Sequence, residues 1–219
     1  MILIHPSSLG KIMTDAKSKK PDDLSVGAMT YCRQLAKEFV YGYRQSVSSK
    51  YMEKGIACED KSIALYNEVF FSGLVKNPQR RSNEWLTGEC DIDTGSKIVD
   101  IKTSWSLDTF PVVKDDALDK DYEWQGRAYM MLWDRPLFEV AFCMVSTPAD
   151  LIKWEDHAAH LVDHIDPVLR VTTVEYARDE KLEELIKIKV EAARKYINQV
   201  LDVIAGDHAG AIIKRGIAE

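Results

Sequence analysis

Glu89-Cys90-Asp91-Ile92-Asp93-Thr94-Gly95-Ser96-Lys97-Ile98-Val99-Asp100-Ile101-Lys102-Thr103 reads as two short strands joined by a turn at Thr94-Gly95-Ser96. The apolar pattern carries the first strand back to Trp85 and the second on to Ser104, so the expected hairpin spans 85–93 and 97–104. Side chains alternate along a strand, which sends Asp100 and Lys102 to one face and Ile101 to the other. Asp91 stands nine positions before Asp100, and hairpin pairing brings the two carboxylates close. Such a pair repels unless a cation lies between the acids. Mg²⁺ held by carboxylates, the backbone carbonyl of Ile101 and waters would satisfy both. Gly88, just upstream, permits close backbone approach.

The acid-x-lysine tripeptide means little alone, because the chain contains four: Asp15–Lys17, Glu59–Lys61, Asp100–Lys102 and Asp179–Lys181. Three of them fall in predicted loop or helix, where the two side chains diverge. Only Asp100–Lys102 falls in a predicted strand, where carboxylate and ammonium can converge on one phosphate. The plain alternative is a surface ion pair. For Asp91 the alternative is a solvated acid near a turn, like its neighbour Asp93, and for Glu59 it is an exposed helix position.

Outward from the hairpin the pattern is helical on both sides. Residues 7–13 suggest a short capped turn, and the loop 17–23 follows. Helices are expected from Leu24 to about Tyr43 and from about Ser49 to Asn67, the second with Met52, Ile56, Ile63 and Tyr66 along an apolar stripe. Asn77 to Asn83 reads as a polar loop. A helix is expected over Tyr122–Trp133, and then an apolar run, Leu137–Ser146, that suits a central strand. Helix 148–163, strand 169–177 and a long amphipathic helix over about 179–205 complete the expected chain. The fold class is therefore α/β, with a central mixed sheet flanked by helices. The expectation is one domain over 1–219: a helical part to about 70, a sheet core over about 71–178, then the long helix.

Composition sets bounds on function. With 46% hydrophobic and 29% charged residues, the chain reads as globular and soluble, not disordered. No stretch approaches the roughly 18 consecutive apolar residues of a membrane span. The start, Met1 to Pro6, lacks the cationic and long apolar segments of a secretion signal, so the expected location is the cytoplasm of whatever cell makes the protein. The cysteines, Cys32, Cys58, Cys90 and Cys143, are too widely spaced for an iron–sulfur cluster and read as buried thiols. The net charge of −6 divides unevenly. Residues 1–83 hold 13 basic against 8 acidic side chains, while the remainder holds 16 against 27. A basic excess in the first part permits a locally positive nucleic-acid groove.

Further candidates carry two readings each. Tyr122, Gln125 and Tyr129 share one helical stripe. Gln125 either orients a water, a phosphate or Lys102, or else caps a sheet-edge carbonyl. Ser7 and Ser8 beside His5 either bind phosphate or cap a helix start. His157, His160 and His164 recur at helical spacing, which suits a solvated helix face better than a metal site.

Taken together, several short motifs resemble the phage-type PD-(D/E)XK nucleases, the group of lambda exonuclease and the YqaJ-like viral recombinases. They are Ser7 to Met13, Lys54-Gly55 to Glu59, Leu86-Thr87-Gly88 to Asp91, Val99 to Trp105, Tyr122-x-x-Gln125-x-x-x-Tyr129-Met130, and Val145-Ser146-Thr147-Pro148. The resemblance implies a restriction-endonuclease-like core and Mg²⁺-dependent hydrolysis of DNA, with Mn²⁺ as a substitute. By position, Glu59, Asp91 and Asp100 would be metal ligands, Lys102 the cation that activates water, and Gln125 the adjoining helix motif. Ser7 or Ser8 would lie where the lambda type holds a 5′ phosphate, and Arg80, Arg81 and Tyr129 are further candidates for DNA contact. Double-stranded DNA ends, a ring-shaped homo-oligomer and a single-strand annealing protein are the partners implied. The chain carries Asp at position 100 where many relatives carry Glu.

Overall fold

The computed structural model describes residues 2–44 and 48–208. Its helices and strands are α1 (Pro6–Leu9), α2 (Val26–Tyr41), α3 (Lys50–Phe70), β1 (Arg81–Ser82), β2 (Thr87–Gly88), β3 (Ile92–Asp93) and β4 (Lys97–Thr103). There follow α4 (Lys120–Trp133), β5 (Leu137–Cys143), α5 (Ala149–Ile152), β6 (Val171–Ala177) and α6 (Glu180–Asp207). Local chemistry sets the helix starts. Ser25, Ser49, Asp119 and Asp179 each accept a hydrogen bond from a first-turn backbone N–H, at the heads of α2, α3, α4 and α6. Asp134, in the left-handed conformation at φ 54°, closes α4.

The main sheet has the order β3-β4-β5-β6, with β4 and β5 parallel and the other pairs antiparallel. As expected from its apolar run, β5 is central. Alternation divides the sheet into two faces. Ile98, Phe138 and Val140 turn toward α4 and belong to the larger core, which also gathers residues of α2 and α6. Val99, Ile101, Ala141 and Cys143 turn the other way and pack with Ile63, Leu65 and Tyr66 of α3. The result is helix, sheet, helix. Among the described residues no helix is long and apolar enough to cross a membrane.

Several expectations need correction. The strand 85–93 is not continuous, because its first half pairs elsewhere. Ile4 bridges Leu86 in parallel, and Thr87 and Gly88 pair with Ser82 and Arg81. A Cβ at Gly88 would stand 2.7 Å from Pro6 Cδ, so only glycine admits this close approach to the N-terminal segment. Part of the expected polar loop 77–83 is therefore strand β1. The expected helix 148–163 is only α5 and a 3₁₀ turn at His157–Ala159. Met52 and Ile56, assigned to an apolar stripe, are 50% and 78% exposed.

Gly126 fixes the spacing of α4 and the sheet. A Cβ there would meet the buried Phe138 ring at 2.0 Å. Overpacking of this depth costs about 3 kcal/mol, and the gain in helix propensity returns at most about 1 kcal/mol. Gly126→Ala should therefore lower stability by about 2 kcal/mol, measured as a reduced urea midpoint with an unchanged slope.

Candidate active site

The early end of β3 makes the site. Carried one step beyond Ile92↔Val99, the register sets Asp91 opposite Asp100. The Asp91 backbone has by then turned out of the ladder. Asn77 donates its N–H to the Asp91 carbonyl at 2.7 Å and its side-chain amide to the Cys90 carbonyl at 3.1 Å, while the Tyr129 hydroxyl donates to the Glu89 carbonyl at 2.8 Å. The Ile101 N–H is taken instead by the Asp91 carboxylate, at 2.8 Å. A cleft of about 590 Å³ opens here between α3 and α4, and Glu59, Asp91, Asp100, Ile101, Lys102 and Gln125 all line it.

Asp100, only 1% exposed, is the deepest of these groups. Its Oδ1 accepts from the Gln125 amide at 2.9 Å. Its Oδ2 lies 2.6 Å from Lys102 Nζ. That approach is off the line a hydrogen bond requires, so Oδ2 has a counter-charge but no directed donor. Gln125 also accepts from Lys102 Nζ through its carbonyl oxygen at 3.3 Å. One amide therefore spans both charged groups and caps no sheet-edge carbonyl. The Asp100–Lys102 pair is likewise no surface ion pair.

Electrostatics follow from this enclosure. Burial and the nearby Asp100 charge push the Asp91 carboxyl up to about 7, against the pull of the Ile101 N–H and Lys102. Burial opposes the Lys102 ammonium, but the charges of Asp100 and Asp91 outweigh that effect and raise its pKa, so it stays protonated. A charged ammonium polarises a water; it is not a base.

Two of the three expected carboxylates come together. Glu59 lines the same cleft from α3, but its Oε2 is paired with Lys76 Nζ at 2.6 Å. Among the described residues no three acid, histidine or cysteine side chains are grouped tightly enough to share one ion. Asp91 and Asp100 nonetheless suit a divalent cation, as two close acids with one buried oxygen lacking a directed donor.

Other candidates fall outside the cleft lining. Tyr129, expected at DNA, is 5% exposed and holds the Glu89 carbonyl from inside the core. Arg81 donates to the Trp133 carbonyl at 3.3 Å and stacks over that indole, so it anchors β1 to α4. Arg80 is exposed, 3.5 Å from Glu89. Ser7 and Ser8 lie within α1, whose N-cap is His5, so neither is the cap. Ser8 bonds the Tyr31 hydroxyl, and burial together with Arg44 and Arg80 lowers the His5 pKa, which identifies Arg44 as a basic neighbour not singled out in the sequence. Asp93 is no solvated acid, since Arg135 grips it at 2.7 and 2.9 Å. His160 is buried beside Thr147 and the Trp105 carbonyl, not on a solvated helix face.

One structural cation carried no signal beyond its place in a motif. Lys54 of α3 is fully buried and donates to the carbonyls of Ser104 at 2.7 Å and Trp105 at 2.9 Å. It ties the helix bearing Glu59 to the end of the strand bearing Asp100 and Lys102. Burial lowers its pKa to about 8.

A mixed four-stranded sheet with helices on both faces, and an acid–lysine cluster at the open edge of β4, is the arrangement that the resemblance to lambda-exonuclease and YqaJ-like nucleases implies. A phage-related exonuclease from Haemophilus somnus 129PT is 33% identical, with a TM-score of 0.88 over 93% of this chain and 96% of that one. The chain belongs to this phage-related exonuclease family. The alkaline exonuclease LHK-Exo from Laribacter hongkongensis shares the fold at 15% identity, with a TM-score of 0.63 over 94% of this chain and 93% of that one. Its complex with dAMP aligns at 17% identity with the same TM-score of 0.63 and the same coverage, 94% and 93%. No family model and no curated protein matches the chain.

The raised Asp91 pKa has a consequence for stability. Between the ordinary carboxylate value of about 4 and about 7, the folded chain holds a proton that the unfolded chain has released. Stability of the metal-free protein therefore falls as pH rises through that window. Asp91→Asn should be more stable than the parent at about pH 8 in chelator, and the difference should vanish near pH 4. Urea unfolding at both pH values measures it.

Proposed function

We propose that this nuclease is a Mg²⁺-dependent exonuclease that degrades duplex DNA from its ends in the 5′→3′ direction, in phage or prophage recombination and DNA processing. The observation that carries the chemistry is the meeting of Asp91, Asp100, Lys102 and Gln125 in one cleft, with Asp100 Oδ2 lacking a directed donor. The direction and the biological setting rest on the family.

In this reading Asp91, Asp100 and the Ile101 carbonyl would hold Mg²⁺ or Mn²⁺, and Glu59, which lines the same cleft paired with Lys76, would be a further ligand. The ion would supply Lewis-acid stabilisation of charge on the scissile phosphate. The chain's own groups do the rest. Lys102, held charged, orients and polarises the attacking water and faces the negative charge that builds on the phosphate. Gln125 keeps Lys102 and Asp100 in register. Arg44, Arg80, Ser7 and Ser8, grouped about His5, offer contacts to the DNA backbone. Assembly into a ring and hand-over of the exposed strand to an annealing protein belong to the same proposal.

Lys102→Ala should retain the fold and DNA binding yet lose at least about 100-fold in cleavage of end-labelled linear duplex. A variant as fast as the parent contradicts the assignment. Covalently closed circular DNA should stay intact with the parent protein and Mg²⁺; linearisation of the circle would mark an endonuclease instead.

A further inference from the structure

Lys102 Nζ has a third neighbour that the proposed chemistry leaves unused. Besides Asp100 Oδ2 at 2.6 Å and Gln125 Oε1 at 3.3 Å, it lies over the Tyr122 ring, 4.7 Å from the centroid. Tyr122 is three residues before Gln125 on α4, so both present to one side of that helix. The ring is set from below. Phe142, the β5 residue paired with Lys102 in the parallel ladder, meets it edge-on at 5.7 Å. Tyr122, Phe142, Gln125 and Lys102 all line the cleft.

We infer that Tyr122 is a positioning residue for the nuclease reaction, its ring face holding the Lys102 ammonium against Asp100 and directing it into the cleft. A lysine stem has many rotamers, and two polar contacts on one side do not confine it. The negative face of an aromatic ring attracts an ammonium and keeps water off that side without neutralising its charge. The remaining open direction is the cleft itself. The phenol hydroxyl has no part in this role, which belongs to the ring. The inference rests on the nuclease reading, and its test separates the two.

The parent protein, Tyr122→Phe, Tyr122→Leu and a series carrying phenylalanine with increasing fluorination at 122 are compared on linear duplex with Mg²⁺. Tyr122→Phe should keep kcat within about twofold, and Tyr122→Leu should lose about tenfold or more in kcat with KM for DNA nearly unchanged. Fluorination, which weakens the ring's negative face while nearly preserving shape, should lower kcat stepwise. In chelator, the ε-methylene protons of Lys102 should show an upfield ring-current shift that Tyr122→Leu abolishes. An active parent with a flat fluorinated series, a Phe variant as slow as Leu, or no ring-current shift overturns the inference alone. A parent that cleaves no linear duplex overturns the nuclease reading, and the inference with it.

Discussion

An almost wholly buried carboxylate beside an ammonium, Asp100 with Lys102 at 2.6 Å, is the contact on which the rest of the site depends. Removing either charge would leave the other stranded in a poorly solvated place. The surroundings therefore serve to keep both. The Gln125 amide bonds to each, the Tyr122 ring faces the ammonium, and Asp91 sets a second carboxyl across the register, charged above about pH 7. In the proposed function, this surplus of carboxyl groups over the single lysine is what would draw a divalent cation to the cluster.

The fold pays for this arrangement at the edge of the sheet. β3 contributes only two residues to the ladder, and its withdrawal at Asp91 frees the β4 edge. That withdrawal is enforced from several sides: by Asn77 on the Cys90 and Asp91 carbonyls, by Tyr129 on the Glu89 carbonyl, and by Ile4 on the Leu86 segment. α6 secures the N-terminal segment in turn, through Arg194 on the Ile2 and Glu84 carbonyls and Lys189 on the Asp23 carbonyl. On the opposite face Lys54 joins α3 to the end of β4. Residues distant in sequence therefore set the width of one cleft.

Much of this was legible in the chain. Strand periodicity alone put Asp100 and Lys102 on one face, and hairpin spacing put Asp91 opposite Asp100. The unbroken apolar run of β5 announced a central strand. What failed were local readings overridden by distant partners. The strand 85–93 breaks because Ile4 and Pro6, some eighty residues earlier, claim its first half. Met52 and Ile56 obey helical spacing, yet they face a cleft whose existence depends on β3 ending early. Tyr129 and Arg81 look like surface contacts until α4 is seen against the Glu89 backbone and β1 against the end of α4 at Trp133. The pairing of Glu59 with Lys76, and the clamp formed by Lys54, are tertiary facts with no local signature.

The proposed function requires that Asp91 and Asp100 form a divalent-cation site. Calorimetric titration of Mn²⁺ into the DNA-free protein tests it most directly, with Asp100→Asn as the comparison. Saturable uptake by the parent, lost in the variant while its unfolding transition persists, is the expected result. Equal uptake by both proteins, or none by the parent, would contradict it.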